Sequence, residues 1–557
     1  MPPEPEQVVG EWGMIGDRPV IFLKQGTTRQ QGASVHETSI EVGRLLADLL
    51  RPTLGPKGMD KMLVKSASDF TVTNDGATIL RESKLEHPAA KVLAEAAMSQ
   101  ESEVGDGTKT VVILAGRLLA EMGETLEGIH PMIVERGYRL AATKALDVVS
   151  GMTRPAAAVD DALLRKVAQT SLASKVAAAH HELLCDLAWN AATAVAERDA
   201  SGRIRGIDVS DVEIVKRPGG DVADSTLVRG VVLAKERAHP RMPARVAPAR
   251  VALVEDAIEP RKTETSARFK ITSGAGERAF AEEEEKLLLA RARRILDTGA
   301  NVVLCAKGIA PIVQDAFARA GVYAVQALDE KRFNALARAT GGRAAESTDV
   351  TRDELGAAQV VEARRMENDE LTFVLSDKAR SVTILVRGGS PHVMDEVQRT
   401  LDDALGTLRD VMLDARVLPG AGAPEAEAAL ALRRYAASVS GKEQLAVEAY
   451  ARALESIPRS LAENAGKNAI DVLAELRAAH DAGRTSEGFD ARSGEVVDAW
   501  SAGIVEPLRV KAEAIHAATE VACMLVRIDD MIVSRRDGAT SKQLSRARTP
   551  SAGRANR

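Results

Sequence analysis

Two short loops carry residues whose types and spacing could do phosphate chemistry: Asn74-Asp75-Gly76-Ala77-Thr78 and Gly105-Asp106-Gly107-Thr108-Lys109-Thr110. Each sets an acid beside glycine and small hydroxyl residues, just ahead of an apolar helical run. Glycine lets the backbone approach a polyphosphate, a helix N-terminus offers N–H donors, and an aspartate can hold Mg2+ or orient a water. Taken alone, either loop is an ordinary turn whose aspartate caps a helix. Two further segments add to the pattern, Thr53-Leu54-Gly55-Pro56-Lys57-Gly58 and Pro419-Gly420-Ala421-Gly422-Ala423-Pro424-Glu425. In isolation the second is a strand-to-helix connection, and the acidic pair Asp402-Asp403 is a solvated helix face. A conventional P-loop is absent: Gly441-Lys442 and Gly466-Lys467 are followed by Glu and Asn and lack its glycine spacing.

The elements that must position these residues can be read coarsely. Ile40, Val42, Leu45, Leu46, Leu49 and Leu50 recur at helical spacing, and further helices are predicted over about 90–100, 109–125 and 130–150. An isolated apolar strand is predicted at Val20-Ile21-Phe22-Leu23. Residues 150–217 hold two helices and a short strand region, closing at Arg217-Pro218-Gly219-Gly220. Strands at 228–233, 251–254, 301–305 and 323–325 then alternate with helices at about 277–298, 310–320 and 330–340, the mark of a layered α/β domain. Residues 370–402 return to strand and helix, with a strand at 381–386. From 403 to about 530 the chain is again mostly helical.

At 557 residues the chain is too long for one core, and the length prior is roughly three or four domains. It is 45% hydrophobic and 28% charged but only 3% aromatic, so its cores must be built from aliphatics and alanine. A net charge of −6 and no basic patch in the body argue against a nucleic-acid partner. The three cysteines, Cys185, Cys305 and Cys523, are far apart and read as buried thiols in a reducing compartment. His180-His181 and the other histidines lack metal-ligand spacing. With no apolar run of spanning length and no signal segment, a cytoplasmic protein without membrane contact is expected.

The four segments, in this order, resemble the nucleotide site of the group II chaperonins, the thermosome family of archaea and its eukaryotic cytosolic relatives. The similarity runs from about residue 19 to 534 and includes Glu86-His87-Pro88, Val386-Arg387-Gly388-Gly389 and Glu506-Pro507-Leu508-Arg509-Val510-Lys511. It implies a multi-domain α and α/β fold with a mainly helical equatorial domain, a small mixed intermediate domain and an α/β apical domain with a helical protrusion. The implied path is out and back: equatorial 1–149, intermediate 150–217, apical 218–370, intermediate 371–402, equatorial 403–533, and a disordered basic tail 534–557. That tail carries seven Lys or Arg against one Asp.

By the same resemblance, the cofactors are ATP and Mg2+. Leu54, Gly55 and Pro56 line the α-phosphate and adenine side. Asp106 coordinates the metal, with Gly107, Thr108, Lys109 and Thr110 around the outer phosphates. Asp403 orients the attacking water, Asp75 is the second acid near it, and Lys175 lies where the γ-phosphate is sensed. Gly420, Ala421 and Gly422 approach the ribose, Glu506 hydrogen-bonds it, and Asp490 with Ala491 flanks the base. Two departures stand out. Lys109 replaces a threonine of the family's run, and could neutralise phosphate, slow release or point to solvent. Ala421 replaces the middle glycine of three, so its methyl could crowd the ribose. The three acids are intact, so hydrolysis is expected, with its rate and nucleotide affinity open.

Residues 265–300 correspond to the built-in lid, with Phe280 as the main apolar anchor of a polar tip; the helix behind it also fits a plain amphipathic element. The implied function is an ATP-dependent chaperone enclosing non-native protein clients in a double ring of like subunits, homo- or hetero-oligomeric. The competing reading is a chaperonin-like holdase scaffold without productive turnover.

Overall fold

The computed structural model of the chain describes residues 7–8, 13–15, 18–20, 27–66, 69–155, 161–173, 180–200, 204–260, 274–367, 369–376 and 380–534. Lys175, residues 21–23 of the expected first strand, residues 265–273 of the expected lid segment and residues 535–557 of the expected basic tail lie outside them.

Helix boundaries follow local chemistry. The first five helices are α1 (Ala33–Leu50), α2 (Gly76–Glu82), α3 (Pro88–Val104), α4 (Thr108–Thr125) and α5 (Pro131–Gly151). Proline at the first position, after a histidine whose ring accepts from the backbone, starts both α3 and α5. Gly105, with φ 70°, ends α3 in the left-handed conformation that glycine adopts without strain. There follow α6 (Asp161–Leu172), α7 (His181–Val195), α8 (Gly274–Asp297), α9 (Pro311–Arg319), α10 (Glu330–Thr340) and the long α11 (Pro391–Leu413), capped by the Ser390 hydroxyl. The last set is α12 (Ala423–Ala436), α13 (Glu443–Leu454), α14 (Ser456–Asn464), α15 (Ala469–Asp481), the single turn α16 (Ala499–Ala502) and α17 (Leu508–Val526).

Helices from the two ends share one core, in which α1, α3, α4 and α5 pack with α12, α13 and α17. With few aromatics, close backbone approach does the work: α1 and α4 cross at Gly43 and Gly116, where a Cβ on either glycine would strike the other helix. Tyr138 and Tyr450 meet edge to face at 5.8 Å in the centre, their hydroxyls satisfied by the Leu118 carbonyl and Thr519. Strand Thr27–Gln31 pairs antiparallel with Asp530–Ser534, joining the chain's two ends.

A second core lies between α6, α7 and α11 and the parallel strands Val212–Pro218 and Val382–Gly388. Those strands begin a six-stranded sheet that continues through Thr226–Leu233, Asp369–Leu375, Val360–Met366 and Arg245–Val246. The centre of the chain adds a parallel sheet in the order Tyr323–Val325, Val302–Cys305, Ala249–Val254, Ala344–Ala345, packed with α8, α9 and α10. The fold is thus multi-domain, α and α/β. Of the apolar face expected on α8, Leu288 and Ile295 are buried against this sheet layer and Leu296 is partly buried there, with Ala292 buried beside them, while Leu287 and Phe280 are exposed.

Helix α11 belongs to the second core through Leu401, Ala404, Leu405, Leu408 and Met412, yet it also touches the first body. A Cβ built on Gly406 would lie 3.1 Å from the Gly105 Cα, so two backbones meet there with no room for a side chain. Farther along, the fully buried Asp410 accepts from Arg409 and, at 3.3 Å, from Arg509 of α17; its second oxygen has no hydrogen-bond partner among the described residues. Burial raises the Asp410 pKa to about 6, against the opposing pull of the two arginines. The folded protein therefore holds this proton more tightly than the unfolded chain, so the contribution to stability is complete below about pH 4 and lost as pH rises through about 6. Urea titrations of the wild type and Asp410→Asn across pH 4–8 are expected to diverge by about 2 kcal/mol over that window, the variant losing less.

Candidate functional site

A cleft of about 440 Å³ opens where the ends of the chain come together with α6 and α11, a volume suited to a small cofactor. Leu54, Gly55 and Pro56 form one wall; Asn464 fixes them by donating to the Leu54 carbonyl at 2.9 Å. Gly55 has φ 77°, and a Cβ there would strike the Leu461 side chain. Asp106, Gly107 and Thr110 line the cleft from the N-terminus of α4. Ala421, Gly422, Asp490, Ala491 and Glu506 also line it.

The loop at Asp106 is held from three sides. Its backbone carbonyl accepts from Gln100, one carboxylate oxygen accepts from the Gly107 N–H at 2.7 Å, and the other from the Ser171 hydroxyl at 3.2 Å. Gly107, with φ 86°, lies so close to Gln100 Nε2 that a Cβ would come within 2.8 Å. Thr407 Oγ1 of α11 lies 3.2 Å from the Ser171 hydroxyl oxygen and 2.9 Å from the Asp403 carbonyl, with one proton shared between the two acceptors, so a polar line runs from Asp106 across α6 to α11.

One turn along α11 from Thr407 lies a second group of acids. Asp75, Glu101 and Asp403 each offer a carboxylate oxygen, and these atoms all lie within 4.8 Å of one another. Asp75 caps α2, accepting from Thr78 N–H at 2.8 Å. Thr73, which hydrogen-bonds the Asp75 N–H, also donates to Glu396 of α11. Asp75 and Asp403 are buried. Three hard oxygen donors of this kind, with Asp106 on the wall of the cleft, fit Mg2+, which takes one or two carboxylates and completes its shell with waters and phosphate oxygens. Crowded carboxylates that polarise a water or hold a metal are also what phosphoryl chemistry requires.

Sequence reasoning did not single out Glu101, Ser171 or Thr407. Glu101 had one usable signal: it stands in the last turn of α3, where the helix dipole disfavours a carboxylate. Thr108 begins α4 and donates to Glu101 at 3.4 Å. Lys109 does not point to solvent; it is 7% exposed, and its ammonium donates to the Thr53 carbonyl at 3.0 Å and to Asn74 Oδ1. Thr108, Lys109, Asp75, Asp403 and Gly420 pack just behind the cleft surface rather than on it.

At the other end, Ala421 holds φ 58°, a left-handed conformation that costs a non-glycine residue about 1–2 kcal/mol. Its methyl faces Gly488, whose own Cβ would come within 2.8 Å of it, and its carbonyl accepts from Phe489. Gly420 is bare because Glu506 packs on it. Glu506 is bound to Lys511 at 3.0 Å, and Lys511 also donates to the buried Glu425 at 2.6 Å. Burial raises the Glu506 pKa, with Lys511 opposing; burial would lower that of Lys511, but Glu425 and Glu506 outweigh it and raise it instead. The Asp490 carboxylate is used within its own turn, accepting from the N–H groups of Arg492 and Ser493.

A model of the TCP-1/cpn60 chaperonin family matches residues 46–536. Among curated relatives, the thermosome subunit beta of Archaeoglobus fulgidus is 45% identical over 521 residues, covering 93% of this chain and 95% of its own. The thermosome subunit of Methanopyrus kandleri is 44% identical over 526 residues, 94% and 96% of the two chains. The thermosome subunit alpha of Thermoplasma acidophilum is 43% identical over 534 residues, 95% and 97%.

Proposed function

The chain belongs to the TCP-1/cpn60 chaperonin family, in its thermosome branch, and from that premise we propose an ATP-driven folding machine whose site is the cleft just described. Chaperonin-type assistance to protein folding follows from the family. The observation that carries the ATPase reading is the meeting of Asp75 and Asp403, from opposite halves of the chain, with Glu101 behind a cleft of cofactor size.

In this reading ATP lies with its base toward Asp490 and Ala491, its ribose toward Gly420, Ala421 and Glu506, and its phosphates over Gly55 and the start of α4. Bound Mg2+ would be held by Asp106 and supply charge neutralisation at the phosphates. The Gly107, Thr108 and Lys109 backbone lies at a helix N-terminus suited to anions. Asp403 and Asp75 orient the attacking water and take up its proton. Because Asp403 rides on α11, whose core is that of α6 and α7, the acids converge only while α11 is seated on Gly105. Seating and hydrolysis are coupled in this way. We assign the equatorial domain to 1–149 and 403–533, the intermediate domain to 150–217 and 371–402, and the apical domain to 218–370. Helix α11 crosses the last boundary without a break, a strut fit to carry motion between domains.

Assembly into a double ring of like subunits agrees with an exposed apolar hairpin, Lys61–Ser66 with Asp69–Thr73. Met62 and Val64 are 65% and 66% exposed there, and Met59 just before it 71%, an arrangement suited to strand pairing between copies. Non-native proteins are the clients, and the cytoplasm is the site of action; among the described residues no helix is long and apolar enough to cross a membrane.

The test is Mg2+-ATP turnover on the purified protein, with negative-stain images of the same sample. Double rings that release phosphate are expected. Rings without turnover would favour the holdase scaffold, and neither rings nor turnover would sink the reading.

A further inference from the structure

Lys109 is the residue whose placement asks most for an explanation. Its stem runs along Gly76, where a Cβ would come within 2.9 Å of Lys109 Cγ, so a glycine is needed to let it pass. Its ammonium then reaches the Thr53 carbonyl, at the entry to Leu54-Gly55-Pro56, and Asn74 Oδ1, next to Asp75. Two segments that contribute to the cleft wall, and a third beside them, are thus tied at one buried nitrogen. The two oxygens named are neutral, a carbonyl and an amide, the kind of donors that hold a small monovalent cation. Around them the site concentrates negative charge: Thr108, the preceding residue, donates to Glu101, and Glu101 adjoins Asp75 and Asp403. A polyphosphate entering this region adds more, and a fixed positive charge close by lowers the repulsion it must overcome.

We propose that Lys109 is a tethered cation of the site: a positioning residue that locks the Thr53–Pro56 and Asn74–Gly76 loops together and supplies, from within the chain, positive charge for binding an anionic nucleotide. The inference rests on the nucleotide reading of the cleft. It distinguishes this chain from a site with threonine at the position, where such charge would have to come from solution.

The test uses the full-length protein and reads nucleotide affinity by calorimetry with ADP and a non-hydrolysed ATP analogue, in a buffer whose only added monovalent cation is tetramethylammonium. Lys109→Met, close in length but uncharged, and Lys109→Thr are expected to bind about tenfold or more weakly, the scale of a lost charge-assisted hydrogen bond. Ammonium or methylammonium chloride is expected to restore most of the Lys109→Thr affinity at an ionic strength where tetramethylammonium does not. The wild type should be indifferent to the exchange of cations. Variants that bind as the wild type does would overturn the proposal, and so would variants that lose affinity without rescue by ammonium, since that pattern marks a purely structural lysine. Thermal unfolding of each nucleotide-free variant identifies any that have lost the fold; Lys109→Arg, which keeps the charge, then serves in their place and is expected to retain affinity within about threefold. A wild type that binds neither nucleotide overturns both this proposal and the reading beneath it, whereas normal wild-type binding with unaffected variants overturns this one alone.

Discussion

Asp403→Asn is expected to reduce steady-state phosphate release by about 10²–10³-fold while leaving nucleotide affinity within a few-fold of the wild type. The side chain is nearly isosteric, so α11 can still seat on Gly105, and Thr407 still bonds the main-chain carbonyl of residue 403. What disappears is one of three converging carboxylates, the one delivered by α11 rather than by the segments around α2 and α3. A neutral amide cannot take a proton from water. Asp75→Asn should lose a similar factor, with an added stability cost because the amide is a poorer acceptor for the Thr78 N–H. Glu101→Gln sorts the roles: a loss as deep as that of Asp403→Asn would make Glu101 a full partner in the chemistry. Phosphate release and calorimetric binding on the same preparations decide the matter. An Asp403→Asn protein turning over within threefold of the wild type would remove Asp403 from the reaction.

Lys511→Met is expected to cost about 3–5 kcal/mol of stability, because it breaks a buried ion cluster from the inside. Lys511 and Glu425 are almost completely enclosed, and Glu425 already has one oxygen with no hydrogen-bond partner among the described residues. Without the ammonium, Glu425 and Glu506 face each other as like charges. The pKa of Glu506 is already raised by burial, with Lys511 as the main opposing influence, so in the variant Glu506 will hold its proton at still higher pH. A group with a raised folded-state pKa contributes stability at low pH and loses it as pH rises. The gap between variant and wild type should therefore narrow on acidification from neutral pH. Urea midpoints at pH 5 and pH 7.5 measure this, and adding Glu425→Gln to the variant should recover much of the loss. An equal gap at both pH values would mean that lost packing, not charge, sets the cost.

The elements were legible where their signals are local. Helices predicted over 109–125, 130–150 and 330–340 are found at Thr108–Thr125, Pro131–Gly151 and Glu330–Thr340, since capping residues, proline and glycine act within a turn of the boundary. The hairpin before Asn74 was not anticipated: its alternating Met62, Val64, Phe70 and Val72 fit a strand pair, but their apolar face is turned largely outward, against the usual sense of the pattern. In the site, the loops around Gly55, Asp106 and Gly422 could be picked out because glycine marks the tight backbone. Ser171 and Thr407 could not, as nothing near them in sequence records the docking of α6 and α11, and Glu101 offered only its place against the dipole of α3. The direction of Lys109 depends on a bare Gly76 more than thirty positions earlier. The Ala421 methyl, read in the sequence as one that could crowd a ribose, also meets Gly488, a contact set by a left-handed φ that composition does not reveal.

The pairing of Thr27–Gln31 with Asp530–Ser534 has a consequence for how the protein is made. A ribosome releases α1 to α5 long before α12, α13 and α17, the helices that complete their core, exist. For most of translation those early helices must wait with apolar faces uncovered, while the central segments, whose sheets and helices are complete in themselves, are free to fold. The strand that closes the first sheet is among the last segments synthesised, and Arg29 meets its partner Asp530 across a separation of 501 residues. A member of a chaperonin family must itself pass through a long unfinished stage, and a ligand of the cleft would not stabilise it there, because Leu54 and Glu506 are joined in one cleft only after the chain is nearly whole.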